Sequence, residues 1–274
     1  MQTKNVIIAG FALLVVAVVG AGLWAYDFVL GETEAPSGPL MAIPLVVNTD
    51  APPTTAPVSI GQPEPTAAEA AAAPPGDPVE PTSPAVSAPQ DTGLVIFQIV
   101  PEQSDVRFSI YEELNGQPRT VVGVTNQVAG QVALDLNDLS KVQAGVIQIN
   151  ARTLTTDSDR RNRAIRNFIL ETDRYEFITF TPASITGLSG PAQPGQPFAF
   201  QIAGDLTIRG IAQPAVFTAT AQGESTSRLT GTATTVVKRG DYNLAIPNVR
   251  NVANVGEEVT LEIDFVAEAA NSGP

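Results

Sequence analysis

The chain of 274 residues has no cysteine and no histidine. Without cysteine there is no disulfide framework, no thiolate metal site, no thiol nucleophile and no N-terminal cysteine to carry a lipid. Without histidine the commonest general base near neutral pH is missing, and so is the commonest metal ligand. Positive charge is scarce: 15 Lys and Arg stand against 28 Asp and Glu, for a net charge of −13. That balance speaks against nucleic acid as a partner and against an electrostatic hold on anionic headgroups. Catalytic motifs are lacking too. There is no GxSxG, and neither Lys141 nor Lys238 sits in a serine motif. The carboxylate pairs Glu112/Glu113 and Glu257/Glu258 read as solvated charge, and Asp157/Asp159 as helix capping and first-turn charge. A calcium site at Asp157-Ser158-Asp159 would lack the glycine and the downstream glutamate of an EF-hand loop. The expectation is a protein that is not an enzyme and carries no metal or cofactor.

What is present falls into three blocks. Residues 1–30 contain an uncharged run of 21 residues, Val6 to Tyr26, with Lys4 before it and Asp27 after it. As a helix it would span ~30 Å, the hydrocarbon thickness of a bilayer. Trp24 and Tyr26 stand where interfacial aromatics belong. A cleaved signal peptide has a shorter apolar core, so the run is read as an uncleaved transmembrane anchor. It leaves the rest of the chain outside the cell membrane, a single-pass arrangement with an extracytoplasmic C-terminal domain. Residues 31–93 hold 14 of the 23 prolines and eight acidic residues, with no Lys or Arg. That composition predicts a disordered tether. Leu40 to Val47 is a short apolar patch within it.

From 94 to 270 the period is two. Val106, Phe108 and Ile110 alternate with polar residues, as do Val132, Leu134 and Leu136, then Ile147 and Ile149. Later runs are Ile178 and Phe180; Phe198, Phe200 and Ile202; Leu206 and Ile208; and Val259, Leu261, Ile263 and Phe265. About eight strands, each with one apolar face, predict an antiparallel sandwich or barrel. Gly204 to Ala221 reads as a hairpin: Arg209 and Gly210 break the first run, Gln213-Pro214 opens the second, and a positive φ is cheapest at Gly210. Pro214 is placed at the start of the second strand. Ser158 to Leu170 breaks the pattern. Ile165, Phe168 and Ile169 recur at helical spacing, and Thr156 or Asp157 can cap the start. The cluster Arg160, Arg161, Arg163 and Arg166 reads either as a solvated face paired with acids such as Glu171 and Asp173, or as a rim meeting a lipid phosphate or membrane surface.

An apolar interior remains. A barrel of about eight strands is just wide enough to fill with side chains or to enclose one slender ligand, and alternation alone does not decide between them. Several segments, in order, resemble the YceI-like family. They are Gln98 to Phe108; Gly130-Gln131-Val132; Thr153 to Arg166; Tyr175 to Phe180; Gly204 to Gly210 with Gln213 to Phe217; and Lys238 to Tyr242 followed by Glu258 to Phe265. The departures are Gln103 and Tyr111-Glu112, where relatives often carry histidine, and Glu176, where a proline is usual. The resemblance implies a mainly β, lipocalin-like antiparallel barrel with one amphipathic helix, holding a polyprenyl or isoprenoid-quinone type lipid for storage or transport. The lining expected on that basis is Phe108, Ile110, Val132, Leu134, Ile149, Ile165, Phe168, Phe180, Phe200, Ile202, Ile208, Leu261 and Ile263. The expected partners are the lipid itself and the membrane through the N-terminal helix; a homodimer is left open. The other reading is a surface module with a solidly packed barrel that binds a protein or a wall polymer.

Overall fold

The computed structural model describes residues 33–47 and 94–270. The run read as an anchor and most of the stretch read as a tether lie outside the described residues.

The described strands form one curled, mainly antiparallel sheet, and their pairing traces a circuit. β1 (Leu94–Ile99) and β2 (Asp105–Leu114) both pair with the last strand, β13 (Glu258–Ala269). They are therefore two halves of one strand, broken at 100–104. The Ser104 hydroxyl fixes that break: it donates to the Val100 carbonyl at 2.8 Å and accepts from the Val266 N–H at 3.0 Å. The next strand is broken as well, into β3 (Gln117–Thr125), β4 (Val128–Ala129) and β5 (Gln131–Asp135). β3 pairs with β2, β5 with β1, and β4 with β7 (Ile147–Asn150). β8 (Phe177–Thr186), β9 (Pro197–Ile208), β10 (Ile211–Ser225) and β11 (Arg228–Lys238) follow in sequence order, and β11 pairs with β13. Counting broken strands once, eight strands lead around and back to the first. Two short strands are appended: β6 (Gln143–Ala144) beside β5 and β12 (Val252–Ala253) beside β2. The seam is thinnest between β4 and β7, where two residue pairs join it.

The β9–β10 hairpin is present, but its connection is tighter than expected: β10 starts at Ile211, ahead of Gln213, so the turn is two residues long, and both Arg209 (φ 51°) and Gly210 (φ 71°) are left-handed. Arginine bears this because its guanidinium is tethered, donating to the Asn243 carbonyl at 2.8 Å and pairing with Glu171. Pro214 lies inside β10, not at its start. β11 pairs with β10 only from Thr218 onward, so one edge of β10 is free at the proline, where a missing N–H costs little.

Apart from short 3-10 turns, one helical segment interrupts the strands among the described residues, between β7 and β8. α1 (Asp159–Ala164) is capped by Ser158, whose hydroxyl accepts from the Arg161 N–H, not by Thr156 or Asp157 as expected. It runs into a π turn, Ile165–Ile169, closed by the Leu170 N–H on the Ile165 carbonyl at 2.8 Å.

Residues 33–46, inside the stretch read as a tether, run along the outside of the seam. At one end the Ser37 N–H donates to Glu176 at 2.8 Å, and Arg152 donates to the Ala35 carbonyl and to Glu34, each at 2.8 Å. At the other end the Leu45 N–H donates to Gln131 at 2.9 Å. Burial alone would raise the Glu176 carboxyl. Hydrogen bonds from Ser37 and Asn150 and the Arg152 charge outweigh it and hold the group below its ordinary value. A depressed carboxylate stabilises the docked segment above its unfolded pKa and loses that contribution as pH falls through the folded value. The Arg152 side chain is only 7% exposed and also donates to the Thr172 and Asp173 carbonyls. Arg152→Ala is therefore expected to release this segment. Hydrogen exchange at the Ser37 and Leu45 amides should rise about tenfold or more; unchanged protection would contradict the docking.

Candidate functional site

The barrel's two ends differ. At one end the loops 136–142 and 187–196 close over each other, with the Leu139 N–H on the Gly190 carbonyl and the Ala192 N–H on the Leu136 carbonyl, both at 2.8 Å. Phe97, Leu134, Leu139, Leu229 and Ala267 pack beneath them as a buried cluster. At the other end the β2–β3 tip, α1 and the loop 243–257 surround an opening. Between the ends lies a cavity of about 670 Å³, within the ~300–1,000 Å³ typical of small-molecule sites.

Alternation explains the walls. Val106, Phe108 and Ile110 on β2 face inward, opposite Ile263, Leu261 and Val259 on β13. Val132 and Leu134 on β5, Ile149 on β7, Phe180 on β8, and Phe200, Ile202 and Ile208 on β9 also line the cavity, as does Ile165 of the π turn. Gly123 sits opposite Phe108; a Cβ there would lie 2.1 Å from its ring. The glycine lets the ring lie back against the wall, leaving space in front of it.

Phe168 is not part of the lining. In an α-helix the stripe would continue from Ile165 to Phe168 and Ile169. The π turn adds a residue, so Ile169 and Leu170 take the inward positions and Phe168 rotates off the face. Other lining residues escaped the sequence reading. Phe217 meets Phe180 edge-on at 4.8 Å between ring centroids; its inward neighbours Ala215, Ala219 and Ala221 are small and gave no strong apolar signal. Leu244, Ile246 and Val249 come from an irregular loop with no period to read.

The mouth is polar, and here the structure corrects the charge assignments. Glu112 is not solvated: it is 6% exposed, on the inward side of β2, and accepts from Arg161 at 2.9 Å. Asp157 is not a helix cap but pairs with both Arg119 and Arg161, which engages the carboxylate a calcium ion would have needed. Glu257 is solvated on one side but accepts from the Gly240 N–H at 2.8 Å and pairs with Arg239 at 3.1 Å. The arginine cluster is not neutralised as expected. Glu171 pairs with Arg209, and Asp173 accepts from the Glu34 N–H. Of Arg160, Arg161, Arg163 and Arg166, only Arg161 has a carboxylate partner among the described residues.

Tyr242 closes the core below the mouth-side loop. It is 1% exposed, and its hydroxyl has no hydrogen-bond partner among the described residues. Burial, helped by the nearby Asp241, pushes the phenol up to about 12. A raised phenol contributes stability that is present below the unfolded value of ~10 and lost as pH rises through the folded value. Tyr242→Phe removes the orphan hydroxyl. It is expected to be neutral or stabilising by up to about 1 kcal/mol at pH 7 and to unfold less steeply between about pH 10 and 12. Chemical denaturation across that range checks both; an unchanged alkaline slope would contradict the assignment.

The sequence pattern of the YceI-like domain matches residues 97–267. Among solved structures, a polyisoprenoid-binding domain from Saccharophagus degradans, implicated in plant cell wall breakdown, aligns with a TM-score of 0.51 at 16% identity, covering 64% of this chain and 99% of that one. BcnA from Burkholderia cenocepacia aligns at 0.49 and 19% identity, covering 61% and 98%. A Campylobacter jejuni YceI protein aligns at 0.42 and 16%, covering 53% and 82%. No curated protein matches.

Proposed function

The chain belongs to the YceI-like family, and on that premise we propose that it holds a long isoprenoid chain, of the polyprenyl or isoprenoid-quinone type, in the barrel cavity. It stores or carries the lipid and does no chemistry on it. The observation that carries this reading is a cavity of about 670 Å³ walled by Val, Ile, Leu and Phe and open at one polar end. A slender hydrocarbon fits such a space; a sugar or nucleotide would need hydrogen-bonding groups along the walls. Each buried CH₂ contributes ~0.8 kcal/mol, about fourfold in Kd, and roughly ten offset much of the ~4–15 kcal/mol cost of association. A barrel packed solid would have no such space, which disfavours the reading as a surface module. The uncharged run at 6–26 suits a membrane anchor that keeps the domain on the extracytoplasmic side, beside its source of lipid.

The test is a series of isoprenoid alcohols of rising length bound to the purified protein. Affinity is expected to climb with each unit until the cavity is full, then level off. No dependence on length would contradict a buried tail.

A further inference from the structure

Residues 33–46 lie outside the region 97–267 that matches the YceI-like pattern, and they are fixed to the barrel in a definite direction. Residues 34–37 are held at the mouth end. The Glu34 N–H donates to Asp173 at 2.9 Å and the Ser37 N–H to Glu176 at 2.8 Å, while Arg152 grips the Ala35 carbonyl and the Glu34 carboxylate. Arg152 follows β7 and leads to α1. Asp173 and Glu176 lie between the π turn and β8, whose far end enters the closed-end loop 187–196. Leu45 sits farther down, at Gln131 on the start of β5, the strand that runs on to the closed-end loop 136–142. Its side chain packs over Gly145, 3.6 Å from where a Cβ would stand. The segment thus joins the barrel at the mouth and descends toward the closed end.

That direction changes what connects the barrel to the uncharged run at 6–26. Counted to the first barrel strand, Tyr26 is 68 residues from Leu94, a length that allows ~45 Å as a flexible coil and over ~200 Å when stretched. Counted to the docked segment, Tyr26 is only eight residues from Glu34, at most ~28 Å of extended chain. Residues 47–93 then add no reach. They leave from one fixed point on the barrel and return to another, Leu94, which pairs with Asp135 at the head of a closed-end loop.

The rim suits a bilayer surface. Residues 243–256 contain no acid, although the chain has 28. They place Ile246, Val249 and Arg250 at the opening, with Val249 37% exposed. Apolar side chains with a cation among them match the boundary between headgroups and hydrocarbon.

Resting on the reading of 6–26 as a membrane anchor, we propose that the docked segment 33–46 clamps the chain to the mouth end of the barrel, so that a leash of eight residues presents the mouth to the bilayer. Residues 47–93 are a loop between two points on the barrel, not the tether. A lipid leaving the bilayer meets the opening and not the closed end.

The chain has no cysteine, so a single dye can be placed by substitution: Asn248→Cys at the mouth or Ser189→Cys on the closed-end loop, both exposed positions. Energy transfer to acceptor-labelled lipid is measured for the full chain in phosphatidylcholine nanodiscs. The mouth dye is expected to transfer about twofold or more efficiently than the closed-end dye. An insert of about 40 Gly/Ser residues, ~35 Å as a coil, between Glu32 and Thr33 should remove that difference. The same insert between Ala70 and Ala71 should leave it unchanged. Replacing residues 34–46 by Gly/Ser of equal length, which keeps every barrel residue, should bring the mouth signal down to that of the closed end. Equal transfer from the two ends in the unmodified chain would overturn the inference and leave the anchor reading standing. Equal loss from the two inserts, or a difference that survives the Gly/Ser replacement, would overturn it too. Flotation with liposomes after an alkaline wash checks the anchor separately: if the chain does not float, that reading falls, and this inference with it.

Discussion

Replacing Ile263 by aspartate is expected to lower affinity for a long isoprenoid by about a hundredfold or more, because an ionised or unpaired carboxyl would face hydrocarbon. Ile263 lies mid-strand on β13, between Val106 of β2 and Ala233 of β11. All three line the cavity, and Arg107, next to Val106, is already engaged by Glu262 and Asp264, so no free cation among the described residues stands beside the new group. In the empty protein, water entering from the mouth can solvate the carboxylate, so the barrel should still fold. Ile263→Val, which keeps the wall apolar, should change binding by only a few fold, about one or two CH₂ groups' worth. Circular dichroism separates unfolding from lost binding. A folded Ile263→Asp protein with wild-type affinity would place the lipid elsewhere. Phe200→Asp probes the opposite wall by the same logic.

Arg161→Ala is expected to be among the most destabilising single changes at the mouth, at about 2–4 kcal/mol. Arg161 is the one hydrogen-bond partner that Glu112 has among the described residues, and the Glu112 side chain is 7% exposed. Removing the arginine leaves the carboxylate beside the apolar Ile110 and Leu114, with no cation nearby except Arg119, which stands opposite it on β3 and is held by Asp157. The cost belongs to the stranded charge more than to the lost pair, so Glu112→Gln/Arg161→Ala should recover most of it. Urea denaturation of both single variants and the double variant gives the coupling. Strict additivity would mean that Glu112 finds water in the folded protein, and that the inward carboxylate is not buried as described.

The strands were legible because burying one face imposes period two, and the lining on β2, β5, β9 and β13 follows from the same alternation. Four features were hidden, each for a physical reason. The π turn shifts the inward phase by one residue, which a 3.6-residue wheel places on Phe168. Leu244 to Val249 lines the mouth from irregular backbone, which has no period. Glu112 continues the inward alternation of Val106, Phe108 and Ile110, so its position was readable, but a carboxylate there looks solvated until its arginine partner is located. Residues 33–46 carry three prolines and no Lys or Arg, as a tether does, and only the fold brings Arg152, Glu176 and Gln131 into line to receive them. In the sequence Glu176 is merely a departure from the family's proline; in the fold it accepts a backbone N–H from Ser37.

The most direct test of an open, hydrocarbon-filled barrel is organic extraction of the gently purified full chain, with the extract identified by mass spectrometry. The account predicts an isoprenoid lipid at close to one per protein, depleted in Ile263→Asp. Protein that carries no apolar lipid, and that takes up none when offered it, would contradict the account.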